Sequence, residues 1–221
     1  MSNWLQRIDM VNTRRGYTAI GGDFEKAFRY ERILKLVNVN DDIATVLRLH
    51  LVIENILDLW VSKATQHPEI LAHGRFSFAH KLALAEGSGL PKDLAKAYGH
   101  INKIRNQIAH AKTEELSDSQ VESMASLTDN IRTKIKENDS LKVKELHLGV
   151  GGTSPSGENV TQQVEYIASS NRIKLIIAGC ILLTKSVALF TSELSKMGVP
   201  LTVGEAMPSD YEPPQFKDFE P

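Results

Sequence analysis

One long apolar stretch between residues 43 and 64 limits the folds open to this chain. Two rows of apolar residues run through it at helical spacing: Val46, Leu49, Ile53, Ile56 and Trp60 in one, and Leu47, Leu51, Leu57 and Val61 in the other. A helix with more than one apolar side packs against several neighbours. The stretch therefore predicts a central helix inside a helical domain, with Asp41 or Asp42 as its N-cap.

The rest of the chain carries further helix signals. Apolar residues at helical spacing predict helices after Asp23, near residues 76–86, and at about 92–112, 118–135 and 160–197. Ser117 and Gln120 have the spacing of a capping box, and Pro91 suits a first helical turn. The low aromatic content of 6% and the many helix-favouring residues agree with this pattern. We expect an all-α bundle of about five to six helices.

Changes in composition divide the chain into segments. Residues 1–22 look like an N-terminal arm, and residues 23–198 look like one helical domain. Within that domain, apolar and polar residues alternate over 139–159 and predict a short β-hairpin and loop insertion. Residues 199–221 contain five of the eight prolines and several acidic residues, so they predict an extended C-terminal tail.

Charge and cysteine usage narrow the possible partners. The formal net charge of −1 gives no global basic field, so a nucleic acid would have to bind to a local patch. A single cysteine, Cys180, cannot form an internal disulfide, and no Cys/His spacing suggests a metal. We expect a reducing, cytoplasmic setting and no metal or cofactor. The apolar run from Leu175 to Leu183 is too short to span a bilayer, so we expect no membrane partner.

The segment from Ile101 to Ala111 is the strongest candidate for a reaction centre in the chain, because it combines an arginine and a histidine in one predicted helix. Ile101, Ile104, Ile108 and Ala111 share a narrow sector of the helical wheel and predict the core face. Arg105 and His110 lie roughly 140° apart on the other side. Asn106 and Ala109 lie between them.

A strip of mostly small residues runs along this same outer face. It consists of Ala95, Gly99, Asn102, Asn106 and Ala109 at spacings of four and three. Small side chains at that spacing let a second helix approach closely, so the strip predicts a dimer seam. A twofold dimer would bring two copies of Arg105 and two of His110 to one cleft.

These residue types are suited to RNA cleavage without a metal. Arginine binds phosphate and stabilises the charge that develops on it, and histidine exchanges protons near neutral pH. Asn106 is positioned to bond a phosphate or to orient the imidazole. The alternative is a solvated polar helix face, on which His110 only interacts favourably with the C-terminal end of the helix dipole.

The sequence Asn102-Lys-Ile-Arg-Asn-Gln-Ile-Ala-His110 resembles the signature of the HEPN superfamily, an arginine and a polar residue followed at short range by a histidine. The upstream segments Leu49–Leu57 and Phe76–Leu82 are similar to those that precede this signature in MtlR-like and related HEPN proteins. The resemblance covers about residues 24–136. It implies an all-α bundle, usually a dimer.

Many HEPN proteins are metal-independent endoribonucleases that act as toxins or in defence. The resemblance implies that Arg105 and His110 carry the chemistry and that Asn106 assists. It also leaves an alternative, because MtlR-like branches are regulators or scaffolds. In that case the chain is a non-catalytic regulatory or interaction protein that uses the same dimer face to bind protein or nucleic acid. One toxin branch has a tyrosine two residues after the histidine, where this chain has Lys112, so the resemblance does not imply regulation through that tyrosine.

Two further expectations concern groups near this segment. Glu54 lies among apolar neighbours on the central helix, so it either orients Arg105 or is a half-buried carboxylate at a packing edge. The acidic tail from about Glu205 would inhibit the protein if it occupied a cleft that contains Arg105.

Overall fold

The computed structural model describes residues 22–25, 27–28, 36, 41–110, 115–153, 159–199 and 201–202. It is predominantly α-helical, which confirms the all-α prediction. The helices are α1 (Asp42–Thr65), α2 (Ile70–His73), α3 (Phe78–Gly87), α4 (Lys92–Ala109), α5 (Asp118–Asn130), α6 (Lys136–Asp139) and α7 (Asn171–Lys196), and the strands are β1 (His147–Thr153) and β2 (Asn159–Glu165). Two short 3-10 turns cover Gly22–Phe24 and Val143–Glu145.

Helix α1 is the centre of the bundle. Its first apolar row is buried as predicted, whereas Leu47 and Leu51 of the second row are exposed. It packs against α3, α4 and α7. Asp41 caps its start, because the Asp41 carboxylate accepts a hydrogen bond from the Ala44 amide at 2.6 Å. Gln66 ends it in a left-handed backbone conformation with φ of 57°. Near that end, the buried Trp60 donates its indole N–H to the Ala85 carbonyl of α3 at 3.2 Å.

Helix α7 forms the other half of the core. Every residue from Leu175 to Leu183 is buried, and α1 approaches closely at Gly179. Among the described residues α7 is the one helix long and apolar enough to cross a membrane, yet 89% of its most apolar window is buried inside the bundle. Its apolar length is therefore accounted for by packing against α1 and α5.

The predicted hairpin exists but lies later in the chain. β1 and β2 pair antiparallel, with His147 opposite Glu165 and Thr153 opposite Asn159. The strand β1 includes the glycine-rich residues 149–153. Residues 160–165, assigned from the sequence to the last helix, belong to β2, and α7 begins only at Asn171, where Ser170 caps it. Alternation was visible in β1, but the polar β2 had no apolar row to reveal it.

The described segments before α1 and after α7 meet beside α1. Asp23 and Thr202 are joined by two hydrogen bonds, of 3.1 Å and 2.7 Å, and Asp23 also pairs with Lys63 of α1 at 2.8 Å. Val199 is buried and Leu201 packs on the core. The first residues after α7 are thus part of the packed domain, which corrects the predicted tail boundary at residue 199. The expected acidic inhibitory segment from Glu205 and the arm over residues 1–21 lie outside the described residues.

Candidate functional site

Helix α4 carries the residues that the sequence singled out. Its inner face packs through Ile101, Ile104 and Ile108, all of which are buried as predicted. Tyr98 fixes the same helix to α7, since its hydroxyl donates to Ser186 Oγ at 2.7 Å. The outer face is left to solvent, and it is there that a ligand or a partner helix has access.

Arg105 lies half-buried at one flank of this outer face. Its Nη1 donates to Oδ1 of the adjacent Asn106 at 3.1 Å. Its Nε is buried and finds no acceptor among the residues that the structure describes. The guanidinium is therefore held along α4 by its own neighbour, with one N–H that lacks an internal partner.

His110 is exposed and is the C-cap of α4, and its backbone N–H donates to the Asn106 carbonyl at 3.1 Å. The next described hydrogen bonds along the chain are those of Leu116. The Leu116 amide donates to Asp42 Oδ2 at 2.9 Å, and the Leu116 carbonyl accepts from Asn171 Nδ2 at 2.9 Å. Leu116 is thus bonded to the first residues of both α1 and α7.

A groove of about 340 Å³ runs along the outer face of α4. It is lined by Gly99, Asn102, Lys103, Asn106, Gln107 and His110. A second groove, of about 330 Å³, shares two of these residues, Lys103 and Gln107, and continues towards the start of α5. Neither lining includes a carboxylate, although the chain as a whole is slightly acidic.

The groove brings some of the expected residues together and separates others. Asn106 and His110 both line it, whereas Arg105 does not and is joined to it through Asn106. Within one chain, Arg105 and His110 therefore do not share a single lining. The expected seam is also narrower than predicted, because Ala95 is only 3% exposed. Ala109 is exposed, and Gly99 and Asn102 are partly exposed.

Behind the groove, α1 and α3 supply a set of polar side chains. His50 is buried against the Phe78 ring, with centroids 4.5 Å apart, and its Nε2 lies 3.2 Å from Asn102 Oδ1. Burial lowers the pKa of His50 below its ordinary value, and the cations Arg105 and Lys81 act in the same direction. The neutral imidazole is the form favoured at neutral pH.

The expected contact between Glu54 and Arg105 is replaced by another. Lys81 of α3 bonds Glu54 at 2.9 Å and Asp58 at 2.8 Å, so one ammonium bridges two carboxylates of α1. Although burial opposes it, this pairing raises the pKa of Lys81. Glu54 is thus hydrogen-bonded to a partner other than Arg105, and it shares that ammonium with Asp58.

A polar row in the sequence of α1 indicates this cluster. His50, Glu54 and Asp58 form a polar row on a mostly apolar helix, and buried polar groups are nearly always hydrogen-bonded. Partners were therefore required on the helices facing that row. Lys81 and Asn102 supply them, which a search for polar residues facing α1 would have found.

Comparison with known proteins adds no relative. No family model, no curated protein and no solved structure matches the chain. Among the described residues, no three His, Cys, Asp or Glu side chains come together as a metal site would require.

Proposed function

We propose that this protein is a HEPN-type endoribonuclease that acts as a dimer without a metal ion, in a cytoplasmic setting. The observation that carries the proposal is the outer face of α4, where two adjoining grooves are lined by amides, hydroxyls, histidines and Lys103 and by no carboxylate. A surface of hydrogen-bond donors without acidic residues suits a polyanion such as RNA. Its local character agrees with a chain that has no global basic charge.

Arg105 and His110 divide the chemistry in this proposal. Arg105 holds the scissile phosphate and stabilises the negative charge that grows on it. His110 removes the proton from the ribose 2′-hydroxyl, whose oxygen then attacks phosphorus. The 5′-oxygen leaves as its bond to phosphorus breaks, and a protonated histidine supplies its proton. The products are a 2′,3′-cyclic phosphate and a 5′-hydroxyl.

A second copy of the chain completes the site. One His110 cannot act as both base and acid in the same step, and Arg105 does not line the groove that contains its own His110. A twofold contact along the exposed part of α4 repeats both residues across the seam. Ala109 is exposed and Gly99 has no side chain, so the surface permits close approach of a second helix.

The test is cleavage of single-stranded RNA in EDTA by the wild type, Arg105→Ala, His110→Ala and Asn106→Ala. We expect Arg105→Ala and His110→Ala each to cleave at least about 100-fold more slowly than the wild type, which is the usual effect of removing an acid-base or electrostatic catalyst. His67→Ala is the matched control, because His67 is an exposed histidine paired with Glu69 at the far end of α1. Equal rates in all five proteins would refute the catalytic assignment.

The alternative is a non-catalytic HEPN- or MtlR-like regulatory protein that binds a protein partner through the same face. One observation favours it: Nη1 of Arg105 is already bonded to Asn106, and the side chain does not line the groove. This alternative predicts no RNA cleavage, together with loss of association when Gly99→Leu or Ala109→Glu alters the seam. Cleavage of RNA by the wild type separates the two functions, and sedimentation of the seam variants tests the surface that both of them use.

A further inference from the structure

Three carboxamides line the groove on α4, and two of them, those of Asn102 and Asn106, lie one helical turn apart. Asn102 and Asn106 stand at i and i+4, so their side chains start about 5–6 Å apart on the same face. The amide oxygen of each contacts a side chain that does not line the groove. Asn102 Oδ1 lies 3.2 Å from Nε2 of His50, and Asn106 Oδ1 accepts from Nη1 of Arg105 at 3.1 Å.

The occupied oxygens determine what the two amides can offer. A carboxamide has one acceptor oxygen and one NH₂ that donates. When a fixed donor takes each oxygen, both NH₂ groups are left for the groove. Lys103 lines the same groove, and no carboxylate does. The lining therefore offers several donors with a positive charge and no competing anion.

His50 is built to hold the Asn102 amide in this orientation. His50 is buried on α1 against the Phe78 ring, where an uncharged imidazole is favoured. A neutral imidazole carries a single N–H, and because the Asn102 amide oxygen can only accept, the 3.2 Å contact with Nε2 assigns that hydrogen to Nε2. Nearby, Glu54 is hydrogen-bonded to Lys81, and the Nε2 hydrogen of His50 faces Asn102.

We infer that Asn102 and Asn106 form a two-amide clamp that binds a phosphate group of RNA, and that His50 is a positioning residue for Asn102. The identity of the ligand rests on the function proposed above. The clamp itself is a binding feature, distinct from the acid-base chemistry of His110. Hydrogen bonds to a charged acceptor are among the strongest that side chains make, and each such bond is worth about tenfold in affinity.

Binding is measured with a short, fluorescently labelled single-stranded 2′-O-methyl oligoribonucleotide. This probe keeps the phosphates but lacks the attacking hydroxyl, so binding is observed without cleavage. Fluorescence anisotropy is followed for the wild type, Asn102→Ala and Asn102→Asp. Asn130→Asp serves as the control, because it makes the same charge change at an exposed position at the end of α5, outside both grooves.

We expect about tenfold weaker binding for Asn102→Ala. A larger loss is expected for Asn102→Asp, because a carboxylate then faces the phosphate. Asn130→Asp should bind within about twofold of the wild type. Wild-type affinity in Asn102→Asp would overturn the clamp.

The role of His50 has a readout of its own. The ring nitrogen shifts of His50 in the wild type report which nitrogen carries the hydrogen. A hydrogen on Nε2 is expected, and a hydrogen on Nδ1 would reverse the amide and overturn the inference. His50→Gln keeps a donor and should retain more affinity than His50→Phe, which has none.

The two proposals fail in different ways. If the wild type binds the probe through Asn102 but cleaves no RNA, the clamp stands and the nuclease assignment fails. If Asn102→Asp cleaves RNA with wild-type affinity, the nuclease stands and the clamp fails. If the wild type does not bind the probe, the clamp fails whatever the cleavage result.

Discussion

The hydrogen bond between Tyr98 and Ser186 fastens the site helix α4 to the core helix α7. The Tyr98 hydroxyl donates to Ser186 Oγ at 2.7 Å, and the Ser186 hydroxyl donates in turn to the Leu182 carbonyl at 2.6 Å. Tyr98 is fully buried, and burial raises the pKa of its hydroxyl well above the ordinary value. The group therefore remains a neutral donor throughout the pH range in which the protein is studied.

In a double-mutant cycle on this pair, the two single substitutions should lower the free energy of unfolding by different amounts, for reasons that follow from the geometry. Tyr98→Phe keeps the ring and leaves Ser186 bonded to Leu182, so the expected loss of unfolding free energy is about 1 kcal/mol. Ser186→Ala leaves the buried Tyr98 hydroxyl without its acceptor, which costs about 2 kcal/mol. The double variant leaves no buried donor unpaired, so its loss should be about 1 kcal/mol smaller than the sum of the single losses.

The assay is urea unfolding followed by circular dichroism, with the four proteins fitted to a common slope. In thermal unfolding, each kcal/mol corresponds to roughly 2–4 °C for a chain of this size. A second cycle with Tyr98→Phe and Thr191→Ala is the control, because Thr191 lies on α7 but bonds only to its own helix. That control should be additive. Additivity within about 0.3 kcal/mol in the Tyr98–Ser186 cycle would refute the hydrogen bond.

Three further predictions address other parts of the fold. Gly99→Ala should stabilise the protein by about 0.5–1 kcal/mol, because alanine favours the helix more than glycine does. Gly179→Ala should destabilise it by about 1–3 kcal/mol, because a Cβ there lies 3.0 Å from the Leu49 side chain. Urea midpoints that move in the same direction for both variants would contradict this difference in packing. Because the pKa of His50 is lowered in the folded protein, the unfolded chain binds more protons below about pH 6.5. The free energy of unfolding should therefore fall as the pH is lowered from about 6.5. In His50→Phe the free energy of unfolding should depend less on pH in this range. Lys185→Met should cost about 2 kcal/mol, because two buried carbonyls at the end of α5 lose their donor; an unchanged melting temperature would show that the ammonium contributes nothing net.

Local pattern was sufficient for the helical framework. The two apolar rows of α1, its cap at Asp41 and the capping box that starts α5 at Ser117 are all visible in short windows. The inner face of α4 followed from the spacing of its isoleucines in the same way. These features depend on residues three or four positions apart, so short-range pattern was enough to predict an all-α fold and the face of α4 that turns inward.

Distant pairings were decided only by the tertiary structure. The sequence offered Glu54 as a partner for Arg105, whereas packing of α3 against α1 places Lys81 there, 27 positions away. It likewise gave no indication that His50 meets Asn102, 52 positions along the chain. The shifted hairpin and the burial of Ala95 have the same origin, since each depends on which element lies alongside. The spacing of apolar residues indicates which face of a helix turns inward. Which side chain of a neighbouring helix contacts that face depends on how the helices pack in the bundle.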